Sequence, residues 1–305
     1  MSVRIQTAFT ELLGIPYPII GAPMFLVSYE EYVIAVSEAG ALGAFPLPNY
    51  RDIADLHRAL RIVREGTDKP IGVNIHLHGR FEWKEQLKLC LDAGVKFFIA
   101  SLGNPQLIVE DVHRNGGIVY ADVISLQQSL KALDRGVDGL IAVGAGAGGH
   151  CGPLPTLVFV PYLKDKTGLP VAAAGGISTG QQMAAALAIG ACAVVVGTRL
   201  LATVESRAAP EYKQAVVAAG PEDIVTSKQV TGNPATWLAA SLGRLDGSQD
   251  MSEARRWRDI WSAGHSVAQV DSIKPVHQVI REMVDDYVRA CEALSRTIVS
   301  AEQAD

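Results

Sequence analysis

Short apolar runs alternate with longer helical patterns over about the first two hundred residues of the chain. Residues 171–174 and 191–196 are apolar throughout, as is typical of strands buried on both faces. Residues 52–64, in contrast, repeat apolar side chains at helical spacing. The predicted strands span residues 18–24, 41–45, 71–75, 95–100, 117–122, 138–143, 171–174 and 191–196. Eight such strand–helix units predict an α/β fold, the closed (β/α)8 or TIM barrel.

A doubly wound open sheet is the alternative fold for the same alternation of strands and helices. Its dinucleotide-binding version places a G-x-G-x-x-G turn directly after the first strand. The residues at that point are Gly21, Ala22, Pro23 and Met24, which do not match the motif. The pattern therefore favours the barrel.

The alternation stops after residue 209, and the chain changes character. We predict three parts: a barrel over residues 1–220, a small and mainly helical lid or second domain over 221–272, and a helix in 273–305 that packs back on the barrel. The middle part carries three of the four tryptophans, Trp237, Trp257 and Trp261. This tryptophan-rich segment is either a lid or the surface of a homodimer.

Composition narrows the classes of partner. The 305 residues carry a formal net charge of −5 without a run of Lys or Arg, which argues against nucleic acid. No apolar run is long enough to span a membrane, so we expect no membrane partner. The four cysteines are far apart and lack metal-site spacing, as expected in a reducing cytoplasm.

Two strands predicted to be neighbours both end in small residues. Gly175 and Gly176 follow the strand at 171–174, and Gly197 and Thr198 follow the strand at 191–196. Backbone N–H groups exposed side by side there would form a phosphate site, which barrels commonly build after their last two strands. Alternatively, these glycines only allow tight turns.

His150 is the first candidate for catalysis. It follows six residues that are all Gly or Ala, in a loop that begins at the end of a predicted strand. Small residues let a planar ligand approach the backbone, and a histidine beside that ligand is a general base or a hydrogen-bond donor to negative charge. The alternative is a structural loop histidine.

Further polar side chains follow the third and fifth strands. Asn74, His76 and His78 alternate, so they face one side if the strand remains extended. The two histidines are substrate contacts or, less favoured because no third ligand is evident, ligands of a metal. Asp122 ends the fifth strand and would reach the barrel mouth.

Five motifs, in order, resemble the nitronate monooxygenases, formerly called 2-nitropropane dioxygenases. They are residues 21–24 (GAPM), 72–74 (GVN), 147–152 (AGGHCG), 174–177 (AGGI) and 197–199 (GTR). The family consists of FMN-dependent β/α-barrel enzymes. Its superfamily includes flavin-dependent enoyl-ACP reductases and NADH:quinone reductases.

The resemblance implies a role for each matched residue. His150 would be the catalytic base or the anion-binding donor near the flavin. The remaining implied contacts are to the cofactor: Ala22, Pro23 and Met24 against the flavin ring, Asn74 on the ring system or ribityl chain, Gly148 and Gly149 close to the cofactor, and Gly175, Gly176, Gly197 and Thr198 at the phosphate. We place Asp122 with the cofactor contacts and His76 and His78 with the substrate.

Several residues depart from the family's pattern. Val143 and Gly146 stand where the family commonly has Gln and an acidic residue, and Asp122 stands where Thr or Ser is frequent. His76 and His78 replace residues that are more typically small or apolar. The departures indicate an intact flavin site beside an altered substrate side.

The resemblance implies an FMN-dependent oxidoreductase that oxidises a nitronate, or a similar carbanion-like small molecule, with O2. An NAD(P)H-dependent reductase of a quinone or an enoyl thioester is the alternative within the flavin enzymes. Outside them, the alternatives are a metal-dependent hydrolase using His76, His78 and His150, and a barrel that binds a phosphorylated ligand without redox chemistry.

Overall fold

The computed structural model of the protein describes residues 3–77, 83–244 and 253–298. The strands in chain order are β1 (Ile19–Gly21), β2 (Leu42–Pro46), β3 (Ile71–His76), β4 (Phe97–Ser101), β5 (Ile118–Val123), β6 (Gly139–Val143), β7 (Gly149–His150), β8 (Val171–Ala174), β9 (Ala193–Val196), β10 (Ile224–Ser227) and β11 (Ala235–Leu238).

The helices lie mostly between these strands. In chain order they are α1 (Ala8–Leu13), α2 (Glu30–Glu38), α3 (Ile53–Gly66), α4 (Trp83–Asp92), α5 (Gln106–Arg114), α6 (Leu126–Asp134), α7 (Thr156–Thr167), α8 (Gly180–Ala188), α9 (Thr198–Leu201), α10 (Pro210–Ala218), α11 (Ala239–Leu242), α12 (Glu253–Asp259) and α13 (Val276–Ser295).

Eight parallel strands form a closed barrel in the order β1-β2-β3-β4-β5-β6-β8-β9. The first and last strands close it, with Ile20 paired to Leu42 of β2 on one side and to Val195 of β9 on the other. The predicted (β/α)8 barrel is confirmed. Each observed barrel strand overlaps one of the eight apolar runs read from the sequence.

The barrel interior is filled near its N-terminal end. Phe9, carried by α1, lies edge-on to Phe97 and Tyr120, with ring centroids 5.5 Å and 6.2 Å away. All three side chains are buried. Because α1 and these rings occupy the N-terminal end of the strands, space for a ligand is left at the C-terminal end, where barrel enzymes place their active sites.

A second, three-stranded sheet lies outside the barrel. Its order is β10-β11-β7, and β11 pairs antiparallel with β7, so that Ala235 lies opposite His150. The sequence predicts a small and mainly helical part over residues 221–272, and β10 and β11 lie within it. The sheet joins that segment directly to the loop that carries the candidate catalytic histidine.

The final helix α13 packs against α8 and α2 on the outside of the barrel. Gly180 permits the contact with α8, because a Cβ atom at this position would lie 2.0 Å from the carbonyl oxygen of Met283. In the described segments, no helix combines the length and apolar character needed to traverse a bilayer.

Candidate active site

One cavity of about 590 Å³ opens at the C-terminal ends of the barrel strands. Its volume is in the range of small-molecule and cofactor pockets. All but one of the residues singled out from the sequence line it: Ala22, Pro23, Met24, Asn74, His76, Asp122, Gly148, Gly149, His150, Gly175, Gly176, Gly197 and Thr198. The exception, His78, is outside the described residues.

The turns after β8 and β9 bring the predicted phosphate-site residues together. Gly176 has a φ of +77°, and a Cβ atom there would meet no atom within 4 Å. At Gly197 the added Cβ would meet only the Cβ of Ala22, at 3.5 Å. Both positions line the cavity. The backbone therefore borders open space here, and the first amides of α9 have no acceptor within their own helix.

The Gly- and Ala-rich loop after β6 is held by backbone contacts on two sides. The carbonyl of Gly146 accepts hydrogen bonds from the amides of Gly176 (3.2 Å) and His265 (3.2 Å). A Cβ atom at Gly148 would lie 3.0 Å from the amide nitrogen of Gly264. The small residues are thus required by close backbone packing, in addition to bordering the cavity.

His150 ends this loop and is held by the C-terminal segment. Its Nε2 lies 2.9 Å from the hydroxyl of Thr231, and its ring meets the Trp257 ring edge-on with centroids 5.5 Å apart. The Thr231 hydroxyl donates its one hydrogen to the carbonyl of Asn233 (3.2 Å), so it accepts from Nε2–H. In the tautomer that this arrangement favours, Nε2 carries the hydrogen and Nδ1 is the basic nitrogen.

A chain of polar groups crosses the ends of three neighbouring strands. The Asn74 amide of β3 donates to the hydroxyl of Ser101 on β4 (2.6 Å), and this hydroxyl donates to the carboxylate of Asp122 on β5. Desolvation by burial raises the pKa of Asp122 to about 6, against the opposing effect of the Ser101 hydrogen bond. Asp122 therefore exchanges a proton in the near-neutral range.

The loop after β1 presents Ala22, Pro23 and Met24 to the cavity, and its path is fixed by the side chains of Asn49 and of its own Ser28. The Asn49 side-chain oxygen accepts from the amide of Leu26 (2.8 Å), while its nitrogen donates to the carbonyl of Ser28 (2.8 Å). The Ser28 hydroxyl accepts from the Met24 amide at 2.7 Å. This loop is thereby anchored before and after its left-handed residue, Leu26.

His76 lies on β3 two residues beyond Asn74, and both side chains line the cavity. Within the three described stretches of chain, no cluster of three His, Cys, Asp or Glu side chains could hold a metal ion. The structure therefore supplies no observation in favour of the metal-dependent hydrolase.

Four residues that hold His150, Asp122 or the loop after β1 in place were not identified as site residues from the sequence. Ser101 could have been found, because it is a polar residue at the end of β4. Asn74 and Asp122 were identified by the same signal near the ends of β3 and β5. Asn49, Thr231 and Trp257 carry no sequence signal of this kind. They reach the site from a loop, a hairpin and α12, through contacts distant in sequence.

Comparison with known proteins agrees with the barrel fold. The family profile described as nitronate monooxygenase matches residues 6–82 and 78–256. A nitronate monooxygenase from Pseudomonas aeruginosa is 32% identical over 271 residues, covering 73% of this chain and 76% of that protein.

Two further likenesses are of similar strength. A (3aS,4S,5R,7aS)-5-hydroxy-7a-methyl-1-oxo-octahydro-1H-indene-4-carboxyl-CoA dehydrogenase from Mycobacterium tuberculosis is 32% identical over 243 residues, 79% of this chain and 68% of that protein. The structure of FabK from Thermotoga maritima superposes with a TM-score of 0.86 at 32% identity, covering 96% of this chain and 100% of that one. Matched along most of its length by the family profile and by these relatives, the chain belongs to the nitronate monooxygenase family of oxidoreductases, whose members are flavoproteins.

Proposed function

We propose that the protein is an FMN-dependent oxidoreductase that oxidises a nitronate, or a similar carbanion-like substrate, with O2. One observation carries the proposal. His150, Asn74 and the open glycine turns after β8 and β9 all border a single cavity at the C-terminal end of the barrel. A base, a polar anchor and a phosphate cradle in one cavity are the parts such a reaction requires.

The cavity wall fits FMN. Gly176 and Gly197 leave space where any other side chain would intrude, so the phosphate would lie against the backbone of these turns, next to the amide of Thr198. Residues 22–24 would lie against the ring. The side-chain oxygen of Asn74 would accept a hydrogen bond from the cofactor, because its amide nitrogen already donates to the Ile99 carbonyl and the Ser101 hydroxyl. When bound, FMN would supply the electron-transfer chemistry, while the protein supplies orientation and electrostatics.

His150 would act on the substrate. With Nε2–H directed at the Thr231 hydroxyl, Nδ1 would accept a proton from the carbon acid, or in the protonated state hold the anion by a charged hydrogen bond. The contacts of the imidazole with Thr231 and Trp257 keep it in one orientation. This fixed orientation reduces the cost of positioning the base during the reaction.

Replacement of the histidine tests this role. We expect His150→Asn to lower kcat/KM for the nitronate of 2-nitropropane by about 100-fold or more, as removal of a general base does. FMN content should stay that of the wild type. The matched control is His57→Asn, since His57 is exposed on α3 and does not line the cavity. Oxygen consumption measures the rate; an unchanged rate in His150→Asn would remove the proposed base.

A further inference from the structure

The cavity extends beyond the barrel mouth along one helix. From Asp122 near the end of β5 its wall continues through Ile124 and then along α6. Gln128 and Lys131 of the helix and Arg135, its C-cap residue, line this part. Gln128 and Arg135 are seven positions apart, which corresponds to about 10 Å along a helix axis. We call the part of the cavity bordered by Gln128, Lys131 and Arg135 the α6 arm.

The charge of this wall is opposite to that of the molecule. Arg51, Lys131 and Arg135 line the cavity, whereas Asp122 is the one carboxylate among its described lining residues. The whole chain carries a formal charge of −5. Two fixed cations in the α6 arm therefore attract an anion into a molecule that is otherwise acidic.

Neither cation of the α6 arm is neutralised within the described residues. Lys131 and Arg135 form no ion pair and no side-chain hydrogen bond there, whereas Arg114 on the neighbouring α5 pairs with both Glu110 and Asp111. The C-terminal position on α6 favours positive charge. It does not explain why both side chains border the cavity, where an anionic ligand would complete their hydrogen bonds.

The proposed cofactor would not pair with Lys131 and Arg135. Its phosphate would lie at the turns after β8 and β9, and β6 separates these strands from β5 and α6 in the barrel order. The α6 arm therefore serves a second anionic group, which belongs to the substrate. This step rests on the proposed function.

We propose that the α6 arm binds the phosphate-bearing tail of a coenzyme A thioester, which places the acyl group at the barrel mouth near His150. Arginine and lysine are the side chains suited to the diphosphate and ribose phosphate of such a tail. The α-carbon of a thioester loses a proton to a base to form a carbanion-like species, the substrate class proposed above. The relative from Mycobacterium tuberculosis carries a carboxyl-CoA compound in its name.

Calorimetric titration of the full chain with coenzyme A tests the proposal. The variants are Lys131→Gln, Arg135→Gln and the double replacement, with Arg281→Gln as control because Arg281 is an exposed cation on α13 outside the cavity. Each single variant in the cavity should lower the affinity for coenzyme A about tenfold, the loss expected when one charged hydrogen bond is removed. Arg281→Gln should bind as the wild type does. Pantetheine, which lacks the phosphates, should bind all proteins equally.

Three results would overturn the proposal. Coenzyme A could fail to bind at millimolar concentration, or bind the double variant as tightly as the wild type. NADPH could bind more tightly than coenzyme A and lose affinity in the same variants, which would assign the α6 arm to a pyridine nucleotide. FMN content and nitronate oxidation are measured separately, so failure here is distinguishable from failure of the proposed function.

Discussion

Gly176 combines a left-handed backbone with an open position on the cavity wall. Its φ of +77° disfavours any side chain, and a methyl group there would project into space free of protein atoms within 4 Å. Gly168, the residue that ends α7, shares the first property, with a φ of +69° and nothing within 4 Å, but does not line the cavity. The pair separates backbone strain from loss of ligand space.

We therefore predict that Gly176→Ala and Gly168→Ala lose similar stability, about 1 kcal/mol each, because both force alanine into the left-handed region. Only Gly176→Ala should lower the affinity for FMN, by about tenfold or more, because its methyl group would fill the proposed phosphate site. Urea unfolding of the flavin-free proteins and fluorescence titration with FMN measure the two effects. Equal FMN affinity in both variants would contradict the cradle.

Asp122 makes stability depend on pH. Burial raises its pKa to about 6, so the folded protein binds a proton more tightly than the unfolded chain, whose aspartates titrate near 4. The sign follows: the free energy of unfolding falls as pH rises from about 4 to about 6. In Asp122→Asn the side-chain oxygen can still accept the hydrogen bond from the Ser101 hydroxyl, but the side chain no longer titrates.

In the flavin-free protein we expect the wild type to lose about 1–3 kcal/mol relative to Asp122→Asn between pH 4 and pH 7. Paired urea-unfolding curves at several pH values measure this difference. A difference that stays constant over the range, or that changes in favour of the wild type, would show that the carboxyl group has an ordinary pKa.

Among the secondary-structure elements, the β10–β11 hairpin ties the C-terminal segment to catalysis. β11 pairs with β7 at His150, and the loop between β10 and β11 supplies Thr231 to its imidazole. The Thr236 hydroxyl also donates to the carbonyl of Ala147 at 2.6 Å. The segment after the barrel thus positions the candidate base.

We predict that Thr231→Val lowers kcat about tenfold, which corresponds to an activation free energy higher by about 1.4 kcal/mol. The reason is that the imidazole, which becomes charged during the reaction, loses a hydrogen bond. FMN binding should stay unchanged, and the pKa of His150 read from the pH–rate profile should fall, since the imidazolium loses its acceptor. Thr231→Ser should restore both values.

The control for this variant is Thr226→Val, an exposed position on β10 whose side chain does not line the cavity. It should leave kcat and the pH–rate profile as in the wild type. If Thr226→Val and Thr231→Val reduced kcat equally, the effect would come from the hairpin as a whole, and the assigned orientation of His150 would be wrong.

The barrel strands were readable from the sequence, while the hairpin was not. Strands such as β8 are continuous apolar runs ended by glycine, a local pattern that reflects burial on both faces. β10 and β11 are four residues each and lack alternation. β11 is stabilised by pairing with β7, and β10 by pairing with β11. The rings of Trp237 and Trp257, with centroids 4.8 Å apart, add a further contact that depends on the folded barrel.

The same distinction holds for the candidate site. Residues at the C-terminal ends of barrel strands, such as Asn74 and the glycines after β8, were predictable from the sequence. The C-terminal ends of all eight strands lie at the same end of the barrel, so these residues border one site. Thr231 and Trp257 come from segments whose placement only tertiary contacts decide. The hydrogen bond from Ser101 to Asp122 was also hidden, because the predicted fourth strand stopped one residue short of Ser101.

For the whole molecule, the distribution of charge and space is as informative as any single residue. A chain of net charge −5 encloses a cavity whose described wall carries three Lys or Arg side chains and one carboxylate. α1 fills the opposite end of the barrel, so the ligand space is at one end. Flavin, substrate and base are thereby expected in the same cavity.

The most direct test of the central claim is the visible absorbance spectrum of the purified protein, followed by anaerobic addition of the nitronate of 2-nitropropane. We predict an oxidised-flavin spectrum, FMN released on denaturation, and bleaching by the nitronate but not by NADH or NADPH. A colourless protein that does not take up added FMN would contradict the proposed cofactor. Bleaching by NADH or NADPH alone would contradict the proposed reaction and identify a reductase instead.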